Sequence, residues 1–150
     1  MDNFTGGAGN DAFSATASTL TALDNINGGS GTDSLTIIDT SNAALSLDTT
    51  LYTISGIETL TVSHTADAAT DLITLDVSAI TDLDTTVVSN VGSAISDAAG
   101  GVNIDTSANV QTVTVSGGVT AQDIDNVNIA DGGTASTDAL TTVTLTGLLN

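Results

Sequence analysis

Two stretches of the chain carry the residue types that hold a hard cation. Gly6-Gly7-Ala8-Gly9-Asn10-Asp11-Ala12-Phe13-Ser14 and Gly28-Gly29-Ser30-Gly31-Thr32-Asp33-Ser34-Leu35-Thr36 both follow the pattern GGxGxDxUx, where U is a large apolar residue. Glycines reach backbone angles that turn carbonyl oxygens inward, the aspartate adds a charged oxygen, and the apolar residue begins a short strand. Such an oxygen set suits calcium. Asp11 and Asp33 are the expected side-chain ligands, with Gly6, Ala8, Gly9, Gly28, Ser30 and Gly31 as backbone carbonyl donors. A glycine turn with an exposed aspartate is the plainer reading of one such phrase. Aspartate at the sixth position both times favours the metal, because asparagine or serine would serve a turn equally well.

The other groups capable of chemistry are less specific. Asp123, Asp125 and Asp131 beside Asn126 and Asn128 read as solvated outer-face residues, as do the pairs Asp82 with Asp84 and Asp67 with Asp71. Glu58, the only glutamate, reads as an outward strand residue. His64, the sole histidine, follows the strand phrase Leu60 to Val62 and reads as a surface residue. A Ser, His, Asp triad assembled on paper from so many Ser and Asp residues carries no weight without geometry. No catalytic residue is assigned, and the chain is not read as an enzyme.

Charge narrows the partners. Eighteen acidic residues stand against no lysine or arginine, a net charge of -18, so the folded chain repels itself. Divalent calcium or high ionic strength would compensate, since salt screens exposed charges over roughly 10 Å at ~0.1 M. Nucleic acid is excluded as a partner, because phosphate binding draws on Lys and Arg. With no cysteine there are neither disulfides nor thiolate metal sites. No apolar run reaches the ~18 residues of a membrane helix, so no membrane insertion is expected. Met1 stands directly before repeat sequence, without a basic region and apolar stretch of a secretory signal. That reads as a start placed on an excised segment, or as a chain exported by an uncleaved signal elsewhere.

These ligands need a scaffold, and the apolar pattern supplies one. Disorder is the alternative for so acidic a chain, yet 40% of it is hydrophobic and its mean hydropathy is +0.29. Short phrases such as Ile57 to Val62, Leu72 to Val77, Val110 to Val115, Ile124 to Ile129 and Leu140 to Leu145 alternate aliphatics with Thr, Asn or Asp at period two. Strand centres are expected at Leu35, Leu47, Leu60, Leu75, Thr86, Val102, Val113, Val127 and Val143, with Gly, Asn, Asp and Ser turns between them. A single domain over 1–150 is expected, with calcium-binding turns over 1–38 and irregular coils over 39–150. Leu20, Leu23 and Ile26 share a helical spacing, which predicts a short helical insertion near residues 16–25. That insertion would account for Asp11 and Asp33 lying 22 positions apart rather than the about 18 of two same-side nonapeptides.

The fold class is all-β. A β-sandwich is the alternative, but it fills a thick core with larger residues, and only Phe4, Phe13 and Tyr52 are aromatic. A right-handed parallel β-helix instead stacks small aliphatic ladders, with Thr and Asn ladders outside. Its open edges carry unpaired backbone groups, so such a chain is expected to pair with further coils of its own polymer or of a neighbour.

The residues invite one comparison. Phe4 to Phe13, Leu20 to Leu35 and Ile54-Ser55-Gly56-Ile57-Glu58-Thr59-Leu60 together resemble bacterial surface-layer (S-layer) proteins of the RTX type. The resemblance is specific over roughly residues 4–62 and compositional afterwards. It implies calcium-dependent lattices, β-helical domains and export by type I secretion. The chain departs from larger members in its shortness and in having two nonapeptides instead of a long array. The expected function is thus an extracellular structural protein, secreted to the cell surface, that self-assembles with calcium into a surface layer or filament. The alternative function is an adhesin or spacer module of an RTX-type secreted protein that binds a host, glycan or cell-surface partner, such as a cell-surface polysaccharide.

Overall fold

The computed structural model describes residues 1–41, 43–65, 72–91, 101–117, 127–131 and 139–147. Thirteen strands lie within them: β1 (Asn3–Ala8), β2 (Ala12–Thr16), β3 (Asn25–Ser30), β4 (Ser34–Asp39), β5 (Leu45–Asp48), β6 (Thr53–Ser55), β7 (Thr59–His64), β8 (Leu72–Asp76), β9 (Thr85–Val91), β10 (Gly101–Thr106), β11 (Thr112–Gly117), β12 (Val127–Asp131) and β13 (Thr142–Thr146). One 3-10 turn, Thr49–Leu51, separates β5 from β6. Every expected strand centre falls within a strand. The cause is the period-two pattern: β7 alternates half-buried Thr59, Thr61 and Ser63 with buried Leu60, Val62 and His64.

All strand pairings are parallel. Sheet A has the order β1-β3-β6, sheet B the order β13-β11-β9-β7-β4-β2, and sheet C the order β12-β10-β8-β5. The chain alternates between sheets A and B at first, passes through all three from β3 to β8, and then alternates between sheets B and C. Each coil is laid on the one before, so Phe4 pairs with Ile26 and Ile26 with Ile54. This is a parallel β-solenoid, and it rules out the sandwich, whose sheets are antiparallel.

The core is a set of ladders. Leu35, Leu60, Thr86 and Val113 stack on sheet B beside Ile37, Val62, Val88 and Val115. Leu47, Leu75 and Ile104 stack on sheet C. All are buried. Each aliphatic so removed from water is worth about 1.5–3 kcal/mol, which only an exact repeat of inward positions collects from every coil. Phe13 and Tyr52 pack against this cluster from its margin.

The helical insertion expected near 16–25 does not form. β2 runs to Thr16 and β3 starts at Asn25, with turns between them. Leu20 and Ile26 are buried, but Leu23 is 70% exposed with φ 79°, so the spacing-three stripe does not share a face. Side chains take the backbone groups that a helix would need. Thr19 Oγ1 accepts the Thr16 amide, and Asp24 Oδ2 accepts the Thr21 amide. Pairing with β1 meanwhile draws Asn25 and Ile26 into a strand. The 22-residue spacing of Asp11 and Asp33 is thus one complete coil, since Ala12 pairs directly with Ser34.

Candidate metal centre

The nonapeptides form the corner where sheet A passes into sheet B. Within them Gly7, Gly9, Gly29 and Gly31 have φ of 134°, 108°, 100° and 147°. At Gly29 the constraint is double, because a side chain would be strained by that angle and would also strike the Gly7 carbonyl. Gly6 and Gly28 face inward. A methyl group on Gly6 would collide with the Gly28 carbonyl oxygen and with Asp11 Oδ2. One on Gly28 would collide with the Gly56 carbonyl oxygen and stand 2.6 Å from Asp33 Oδ2. The same juxtaposition therefore recurs one coil apart: a carboxylate oxygen of one coil beside a carbonyl oxygen of the next.

Carboxylates link the coils. The Asp11 amide donates to Asp33 Oδ1 at 2.7 Å, and the Asp33 amide donates to Glu58 Oε2 at 2.6 Å. The Gly56 amide donates to Asp82 Oδ2 at 3.0 Å. In each aspartate of the pair the second oxygen, Asp11 Oδ2 and Asp33 Oδ2, is buried without a hydrogen-bond partner. Asp33 as a whole is 1% exposed. Buried anionic oxygens without donors are costly, and neighbouring strands hold these two carboxylates about 4.8 Å apart in rise.

The donor chemistry fits calcium, which takes 6–8 oxygens from carboxylates, carbonyls and water. Asp11 with the Gly28 carbonyl would hold one ion beside Gly6. Asp33 with the Gly56 carbonyl would hold another beside Gly28. Among the described residues no three His, Cys, Asp or Glu side chains converge, so carbonyls must supply most of either set. Gly6, Asp11, Gly28 and Asp33 are thus brought together. Ala8, Gly9, Ser30 and Gly31 form a separate, exposed outer ladder, where the Ser30 carbonyl accepts the Gly9 amide at 2.8 Å and a side chain on Gly31 would meet the Gly9 carbonyl.

Glu58 is not a bland outward residue. It occupies the position of Asp33 one coil on, because Ser34 pairs with Thr59. The signal was present: Asp33-Ser34-Leu35-Thr36 and Glu58-Thr59-Leu60-Thr61 match position by position. Gly56, likewise unassigned from sequence, ends the phrase Thr53-Ile54-Ser55-Gly56 that copies Asn25-Ile26-Asn27-Gly28.

His64 is a second correction. It is fully buried rather than at the surface, with Nδ1 3.0 Å from Asp39 Oδ2. Asp24 is also buried, accepting the amides of Thr21 and Asp2, and these bonds, the Thr21 one foremost, hold its carboxyl below the usual range. Asp82 and Asp84 are exposed, as expected, and Asp131 is half-buried at the end of β12. Asp67, Asp71, Asp123 and Asp125 lie outside the described residues.

Comparison with protein-family models, with curated proteins and with solved structures yields no match.

Proposed function

We propose that this chain is a structural module, stiffened by calcium, that works outside the cell and assembles with copies of itself into a surface layer or filament. The observation that carries the reading is the pair of buried, unpartnered oxygens, Asp11 Oδ2 and Asp33 Oδ2, each beside a carbonyl of the next coil. Calcium there would join coil to coil and supply positive charge to a chain of net charge -18. In a calcium-poor cytosol, carboxylate repulsion would keep the chain loose and fit for export. Outside, binding would release folding free energy.

Thermal melting in calcium and in chelator tests this. The wild-type chain should gain about 2.7 kcal/mol per site at a calcium concentration of ~100 Kd, and Asp11→Asn with Asp33→Asn should lose that gain. Identical melts in calcium and chelator would overturn the metal reading. Light scattering in calcium addresses assembly. A wild-type chain that stays monodisperse would leave a spacer or adhesin module in its place.

A further inference from the structure

We propose that the outer face of sheet B is the surface through which two copies of this chain dock, face to face; the inference rests on the self-assembly reading above. The outward positions of β4, β7, β9, β11 and β13 hold no acid, in a chain with 18 Asp and Glu. Asp39, at the end of β4, is buried. The face is a grid of hydroxyls. Thr59, Thr85, Thr112 and Thr142 form one file across adjacent strands. In the next file Thr61 and Thr114 flank Val87.

Sheet C is the contrast. Asp48, Asp76 and Asp105 stand in register across its strands, so charge is segregated between the two larger sheets. Sheet A is free of acids on its outward positions too, but has three strands, the last of only three residues.

Charge and chemistry then select the occupant. Two copies, each of net charge -18, repel on approach, and the penalty is least where carboxylates are absent. A second copy presents the same uncharged face. A threonine hydroxyl is both donor and acceptor, so a hydroxyl grid complements itself across a two-fold axis. Five strands about 4.8 Å apart, each about five residues long at ~3.3 Å per residue, offer about 400 Å² per copy. The total, about 800 Å², is below the ~1,200 Å² of a stable pair, so this two-fold contact joins copies already stacked through their open solenoid ends and does not hold an isolated dimer.

The chain has no cysteine, so single reporter thiols are unambiguous. Thr61→Cys lies on this face and Ser46→Cys on the exposed outer face of sheet C. With a short bis-maleimide in calcium, Thr61→Cys should give at least tenfold more covalent dimer than Ser46→Cys. Equal or reversed yields overturn the proposal. Thr61→Asp combined with Thr114→Asp should raise the concentration needed for assembly at least tenfold, with calcium-dependent melting unchanged. Assembly of that variant at the wild-type concentration overturns the face alone. A wild-type chain that never assembles overturns the self-assembly reading and the face with it.

Discussion

Asp39 and His64 are register partners on β4 and β7, and their side chains meet inside the solenoid at 3.0 Å between Oδ2 and Nδ1. Burial pushes the Asp39 carboxyl up, but the Ser41 amide and His64 together hold it below the ordinary carboxylate value. The folded carboxyl therefore binds its proton at lower pH than the unfolded chain does, where about 3.9 applies. The stability it contributes is present above that unfolded value and is lost as pH falls through the folded one. Urea midpoints measured downward from pH 5 should fall for the wild-type chain and fall less for Asp39→Asn. Parallel curves would contradict the assignment.

Thr86 interrupts an aliphatic ladder between Leu60 and Val113, and its Oγ1 is buried without a partner. Valine has nearly the same shape and no polar atom to desolvate. Thr86→Val should therefore stabilise the fold by about 1 kcal/mol, visible as a melting temperature raised by roughly 2–4 °C. An unchanged or lowered value would mean that the hydroxyl is satisfied in solution.

Asp48, Asp76 and Asp105 place like charges on directly paired positions. Such pairs oppose folding, so Asp76→Asn should stabilise by about 0.5 kcal/mol at low salt. The asparagine oxygen can still accept the Ser78 amide that Asp76 Oδ1 accepts now. In ~1 M salt, where screening acts over about 3 Å, the gain should vanish. Denaturant titrations at the two ionic strengths check this, and a salt-independent gain would point to some other cause.

Gly28 is held against the Gly56 carbonyl, a backbone atom that cannot swing aside as a side chain does. Gly28→Ala should cost about 1–3 kcal/mol through overpacking and should blunt the calcium response of the second corner. Melting with calcium and with chelator reads both effects. Wild-type behaviour in the variant would mean that the coils are less closely stacked there.

Much of this architecture is legible in the residues. Alternation identifies the strands of sheet B because an apolar position is answered by another one coil later, as Leu35 is by Leu60 and Ile37 by Val62, with Thr86 opposite Leu60 the exception. The helical spacing misleads because Leu20 and Ile26 are buried in the core while Leu23 between them faces solvent. His64 has the same parity as Leu60 and Val62, so its burial follows once β7 is allowed to run to residue 64. Glu58 was harder. Asp11 to Asp33 spans 22 residues and Asp33 to Glu58 spans 25, so an acid column is invisible until strand pairing fixes where each coil closes. The inward pairing of Gly28 with the Gly56 carbonyl is likewise a property of stacking, since no local pattern records how near two coils come.

Because each described rung pairs with the rungs directly before and after it, tension applied along the chain has nowhere to spread. A pull on one end would peel the structure coil by coil, each event freeing a stretch such as Asn3 to Asn25 and lengthening the tether by roughly 70 Å. Ions at the glycine corners would then act as rivets between the first three coils, making that end the last to give way.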